Sequence, residues 1–201
     1  LKRSAGNRLE PQAQRYIEQI LYSGRQMNEL IDGLLQYAQS TPGDRIREPV
    51  ALEQVLRQAL EQLEPAIEET AARIEHRPLP VVSGNRVLLT QVLQNLIGNA
   101  LKFRASGPPR IRISAERQGE QWVIAVQDNG IGIPEGWQER LFEPFLRAHR
   151  EHGFAGLGLG LALVKDVIED HGGRIWVQPT PHGGTTFYFT LPAADEPVLR
   201  S

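Results

Sequence analysis

Asn95, Asn99 and Lys102 stand four and three residues apart in a helix-patterned segment, so their side chains fall on one stripe. Carboxamide oxygens can ligate a hard cation and an ammonium can neutralise phosphate, so the stripe suits a metal–phosphate group. Helical asparagines also serve as solvated or capping residues, and the three alone do not decide. A second cluster, Asp128-Asn129-Gly130-Ile131-Gly132-Ile133, follows a strand-like segment. An ionised Asp only accepts hydrogen bonds, so Asp128 can take an exocyclic amine, and two close glycines let the backbone approach a planar ligand. Ordinary Asn-Gly turn chemistry accounts for the same residues. A third cluster, Gly156-Leu157-Gly158-Leu159-Gly160, opens a helix whose free N–H groups and positive pole favour phosphate. It has neither the Walker A pattern nor the dinucleotide-binding spacing. Phe142-Glu143-Pro144-Phe145 and the Gly183-Gly184 turn complete the series.

Composition narrows the chemistry. The chain has 201 residues, 40% of them hydrophobic, which is enough to build a core. Its net charge of -2 gives no overall basic field to draw nucleic acid, and none is expected as a partner. With no cysteine, a disulfide scaffold, a thiolate nucleophile and Cys-ligated metal sites are excluded. No apolar run approaches the roughly 18 residues that span a bilayer. A cytoplasmic location is the expectation, within a parent protein that membrane segments elsewhere could anchor. The start at Leu1 without Met, in mid-pattern, reads as a piece of something longer.

Those clusters need elements to hold them. Ile17, Ile20, Gly24, Met27, Ile31, Leu34 and Ala38 alternate spacings of three and four, a heptad seam over 12–39. A lone helix cannot bury such a stripe, so it predicts packing in a dimeric bundle. Thr41-Pro42-Gly43-Asp44 ends it. An extended piece near Glu48–Val50 leads to a helix over Leu52–Thr70, which Pro65 is expected to kink or split. Arg73–Arg77 reads as a strand, and Asn85 as the N-cap of a helix reaching about Phe103. Arg110–Glu116 and Gln121–Gln127 form a hairpin about Gly119, a helix runs from Gly160 to His171, and strands follow at Arg174–Gln178 and Thr185–Leu191. Helices mixed with antiparallel strands predict an α+β, two-layer sandwich. The expected domains are 1–44, a partial helical region; 45–193, the catalytic unit; and 194–201, a loose tail.

Taken in order, the clusters resemble the sensor histidine kinases. Asn95–Phe103 looks like their N box, Asp128–Ile133 their G1 box, Phe142–Phe145 their F box, Gly156–Leu161 their G2 box and Gly183-Gly184 their G3 box. The heptad helix looks like the second helix of their dimerisation and histidine-phosphotransfer hairpin. Lys102-Phe103-Arg104 with Pro108-Pro109-Arg110-Ile111 resembles kinases fed by phytochrome or PAS sensors.

The resemblance implies a GHKL-type (Bergerat) ATP-binding fold over about 48–191, using ATP and Mg²⁺. It implies that Asn99 ligates Mg²⁺, that Asn95 lines the same site, that Lys102 contacts phosphate and that Arg147 reaches the γ-phosphate. It places Asp128 on the adenine amine, with Phe103, Gly130, Gly132, Ile133 and Thr186 around the nucleotide. It closes the backbone of Gly156, Leu157, Gly158, Leu159 and Gly160 over the triphosphate. Leu157 stands where the family often has Thr, and Phe154-Ala155 replaces its usual lead-in.

The implied partners are a second copy through the hairpin, a response-regulator receiver domain and an upstream sensor domain. None of the five histidines, His76, His149, His152, His171 and His182, sits in the family's acceptor context, so the phosphoacceptor is expected upstream of Leu1. His171 reads as a helix-end residue, favourable near the negative pole. Asn95 lacks the basic carboxylate that would activate water, which favours transfer over hydrolysis. The alternative is a degenerate, non-catalytic module that holds nucleotide and dimerises.

Overall fold

The structure, a computed structural model, describes residues 47–146, 148, 158–180 and 183–194. The heptad helix and the segment 1–44 lie outside them, as do Arg147, Gly156, Leu157 and all but Ala194 of the expected tail.

The described residues form, in order, β1 (Glu48–Ala51), α1 (Leu52–Thr70), β2 (Arg73–His76), β3 (Val81–Gly84), α2 (Arg86–Lys102), β4 (Arg110–Gln118), β5 (Gln121–Gln127), α3 (Gly160–Asp170), β6 (Ile175–Pro179) and β7 (Thr185–Pro192). A 3₁₀ turn, Arg140–Phe142, lies between β5 and α3. Five strands make the main sheet in the order β2-β4-β5-β7-β6, while β1 and β3 pair separately. All contacts are antiparallel except β2 with β4, which run parallel.

The alternation in the strands decides which face is covered. On β4, Ile111 and Ile113 are buried while Arg110 and Arg112 are exposed. The register carries that face across the sheet: Ile113 faces Val126, Val126 faces Phe187 and Phe187 faces Val177. Against it lie the apolar stripes of the helices, Leu52, Val55, Leu56 and Ala59 of α1, Leu89, Leu93, Leu96 and Ile97 of α2, and Leu163, Val167 and Ile168 of α3. Each fully buried large side chain contributes about 1.5–3 kcal/mol, so this shared layer dominates the stability. α2 lies between its neighbours, packing on both α1 and α3. The far face carries a stacked Trp176–Tyr188 pair, centroids 5.4 Å apart, with the Arg174 guanidinium 4.8 Å over the indole. The architecture is the two-layer α+β arrangement.

One expectation changes. α1 runs unbroken through Pro65, which is exposed. There the carbonyl that loses its helical N–H partner can turn to water, so the helix tolerates the ring. The strand Val81–Gly84 went unread because, at four residues between Pro80 and the Asn85 cap, its apolar content shows no period.

Candidate functional site

Asp128 is held where β5 leaves the sheet. Its N–H donates to the Thr185 carbonyl at 2.8 Å, the last rung between β5 and the start of β7. Its Oδ1 accepts from the N–H of Gly130 at 2.7 Å and of Thr185 at 3.1 Å. Oδ2 has no hydrogen-bond partner among the described residues, which leaves one fixed acceptor for a ligand amine. Burial raises the Asp128 pKa above the usual aspartate range, and the two N–H groups oppose that shift.

Glycine makes this fit possible. Gly184 has φ +92°, and a Cβ there would meet the Asp128 carbonyl oxygen at 2.2 Å. The β6–β7 turn therefore runs directly against the end of β5, an approach no side chain permits. A Cβ at Gly130 would meet the Phe103 carbonyl oxygen at 2.3 Å, and that carbonyl accepts from Ile131 N–H at 3.0 Å. The segment after β5 is thereby bonded to the C-terminal end of α2. Gly132 has φ +77° and runs beside Gly184, where a Cβ would find ordinary contact at 3.6 Å. Ile133 packs on the core beyond it.

The α2 stripe approaches from the helix layer. Asn85 caps this helix as expected, its side-chain oxygen accepting from Val87 and Leu88 N–H. Asn95 donates through Nδ2 to the Gln91 carbonyl at 3.0 Å, and its Oδ1 lies against the first residue of α3, where a Cβ on Gly160 would come within 2.5 Å. Asn99 is half-buried one turn on, and its carbonyl accepts from Phe103 N–H at 2.8 Å. The Lys102 ammonium lies 5.3 Å from the centroid of the Phe103 ring. One helix thus touches α3 through Asn95 and the Asp128 segment through Phe103, with Asn99 midway.

α3 begins at Gly160 with no side-chain cap at Leu159, and the first N–H groups of a helix have no partner within it. Gly158 has φ +76°, its carbonyl accepts from Phe145 N–H at 3.1 Å, and a Cβ there would meet the Leu146 carbonyl at 2.5 Å. Phe142 anchors the same segment, edge-on to Phe187 at 6.5 Å.

Thr186 lands elsewhere. Strand alternation puts it on the sheet face opposite Phe187, where its hydroxyl meets that of Thr180 at 3.0 Å. Thr185 is the residue that bonds Asp128, and it does so through its backbone, which no side-chain pattern reveals. His171 ends α3 as expected, but its ring does not act there as a charge. It is buried, its Nδ1 donates to the Val167 carbonyl at 2.7 Å and its Nε2 accepts from Asn85 N–H at 2.9 Å. That pattern needs a neutral ring joining the end of α3 to the cap of α2, not a cation on a helix pole. Among the described residues no group of three acidic or histidine side chains is placed to hold a metal. No helix among them is long and apolar enough to cross a membrane.

The two-layer fold is shared with known proteins. Residues 84–195 match the family described as "Histidine kinase-, DNA gyrase B-, and HSP90-like ATPase". The chain belongs to that family. It is 43% identical over 166 residues to cyanobacterial phytochrome A of Nostoc sp. (strain PCC 7120), a match covering 83% of this chain and 22% of the phytochrome. The catalytic domain of histidine kinase ThkA superposes with a TM-score of 0.63 at 28% identity, covering 73% of this chain and 97% of the domain. Full-length ShkA in complex with AMPPNP gives 0.72 at 27% identity, over 96% of this chain and 42% of that one. The chain therefore spans under half of that structure, and 22% and 25% of two phytochrome relatives, reaching 45% of a sensory kinase SasA.

Proposed function

We propose that this chain is the ATP-binding catalytic part of a sensor histidine kinase, which passes the γ-phosphoryl group of ATP to a histidine elsewhere in the full protein for relay to a receiver-domain aspartate. The observation that carries it is the convergence at one end of the fold of the Asp128 carboxylate, the α2 stripe and the start of α3.

Each part has a task. Asp128 accepts from the adenine amine through Oδ2, while the glycines at 130, 132 and 184 leave room for the ring. The amide oxygens of Asn99 and Asn95 form a neutral, hard donor set that suits Mg²⁺, and Asn99 is assigned as its ligand. Bound there, Mg²⁺ would neutralise charge on the β- and γ-phosphates. Lys102 adds a cation at the end of the same stripe, and the uncapped N-terminus of α3 receives phosphate oxygens. Arg147, Gly156 and Leu157 complete the assignment from outside the described residues. Asn95, with no proton to take up at neutral pH, orients phosphate without activating water, so transfer is favoured over hydrolysis.

Dimerisation through the heptad helix, a receiver domain as acceptor of the relay and a sensor domain upstream belong to the same proposal, as do the boundaries 1–44, 45–193 and 194–201. Calorimetric titration with ATP tests it. Binding should require Mg²⁺, and Asn99→Ala should remove that requirement together with most of the affinity. No binding, or binding indifferent to both Mg²⁺ and Asn99, refutes it.

A further inference from the structure

Asn129 does more than turn the chain after β5. Its Oδ1 accepts from Arg110 N–H at 2.7 Å and its Nδ2 donates to the Pro108 carbonyl at 3.3 Å, contacts across 19 and 21 residues of sequence. Those partners close the loop Arg104–Pro109, which joins α2 to β4 and contains Gly107, Pro108 and Pro109. Two prolines contribute no N–H, so the loop has few groups of its own with which to fix itself. Its near end is tied by Ile131 N–H to the Phe103 carbonyl, and Arg73 N–H bonds the Pro109 carbonyl from β2. Among the described residues, no side chain other than Asn129 hydrogen-bonds into residues 105–110.

The loop is thus stapled at both ends to the segment that carries Asp128. A turn residue alone would need no such reach, since Asx-turn bonding stays within a few residues. The consequence is geometric. The last turn of α2, with Asn99, Lys102 and Phe103, cannot slide along the end of β5 without breaking one of these bonds.

We propose that Asn129 is a positioning residue that sets the distance between the base-binding carboxylate of Asp128 and the phosphate-binding stripe of α2. This rests on the nucleotide reading above. It separates two ligands: adenosine uses only the base pocket, whereas Mg–ATP must span both subsites.

The test measures Kd for adenosine and for ATP with Mg²⁺ by calorimetry, on the 201-residue chain and on Asn129→Ala and Asn129→Ser. The serine variant keeps a polar turn former whose short hydroxyl cannot bridge residues 108 and 110. Both variants should weaken Mg–ATP about tenfold, the effect of losing roughly one net hydrogen bond from the aligned site, while adenosine stays within about twofold. A purely structural role would lower the melting temperature without moving that ratio. If the ratio is unchanged, including the case in which both ligands weaken in parallel, the proposal is overturned. Should the alanine variant fail to fold, the serine variant decides on the same ratio. A wild-type chain that binds no Mg–ATP refutes the nucleotide reading itself. A wild-type chain that binds, with a ratio insensitive to residue 129, refutes only this inference.

Discussion

Asp128→Asn is the substitution that separates binding from stability most cleanly. The amide is isosteric with the carboxylate, and its Oδ1 can still accept from the N–H groups of Gly130 and Thr185. What changes is the second position, where Oδ2 has no partner among the described residues and an NH₂ donor would replace an acceptor. Facing an exocyclic amine, a donor meets a donor. A hydrogen bond to a charged acceptor contributes about 1.5–3 kcal/mol, so the loss should weaken nucleotide roughly 10- to 150-fold. Stability should move the other way or not at all. Burial is the dominant influence on this carboxyl and disfavours its ionised form, so removing the charge relieves desolvation while both backbone bonds persist. Fluorescence titration with a labelled ATP analogue, paired with thermal unfolding of the same samples, reads both quantities. A variant that binds as the wild type does, or one that loses affinity only because its melting temperature collapses, would refute the reasoning.

Four further outcomes follow from the same geometry. Adenosine affinity should fall on acidification, because the ionised Asp128 is the acceptor and its raised pKa brings protonation on at a higher pH than for an exposed aspartate; a Kd-against-pH titration checks it. The stability linkage runs oppositely: with the folded-state pKa raised, the Asp128 contribution is fully present below the unfolded-state value and is lost as pH rises through the folded-state one. Gly184→Ala should cost about 3 kcal/mol or more, since it combines a φ of +92° with a Cβ 2.2 Å from the Asp128 carbonyl oxygen; urea unfolding measures it, and a neutral result would contradict the packing described for the turn. His171→Ala should cost about 2–4 kcal/mol in the same assay, leaving a cavity and stripping the Asn85 N–H of its acceptor.

Much of the fold was legible because its elements obey short-range rules. Arg110–Gln118 shows its period-two pattern in the letters RIRI, and Asn85 announces its helix by a capping chemistry that needs only the next three residues. The parallel pairing of Arg73–His76 with β4 was not legible, since no local pattern says which strand a charged edge segment will join. The place of His171 at a helix end was legible, but its role was not, for a related reason. Its position at a helix end is local information, but the Asn85 N–H that fixes its ring lies 86 residues away.

The site shows the same division in sharper form. Asn95, Asn99 and Asp128 were marked by side-chain chemistry at helical or strand-end spacing, which sequence displays. What aligns them is backbone: the Thr185 N–H on Asp128, the Phe103 carbonyl under Gly130 and the Asp128 carbonyl against Gly184. Each appears in the sequence only as a missing side chain, and a glycine does not say what approaches it. Thr185 and Thr186 look alike in the letters until strand alternation assigns one to each face. The same logic explains how three stretches far apart in sequence can meet without a shared motif. β5 supplies the acceptor, α2 supplies the polar stripe, and glycines at 130, 160 and 184 remove the atoms that would keep the layers apart. A methyl group restored at any of the three should therefore act on the spacing of the subsites before it acts on their chemistry.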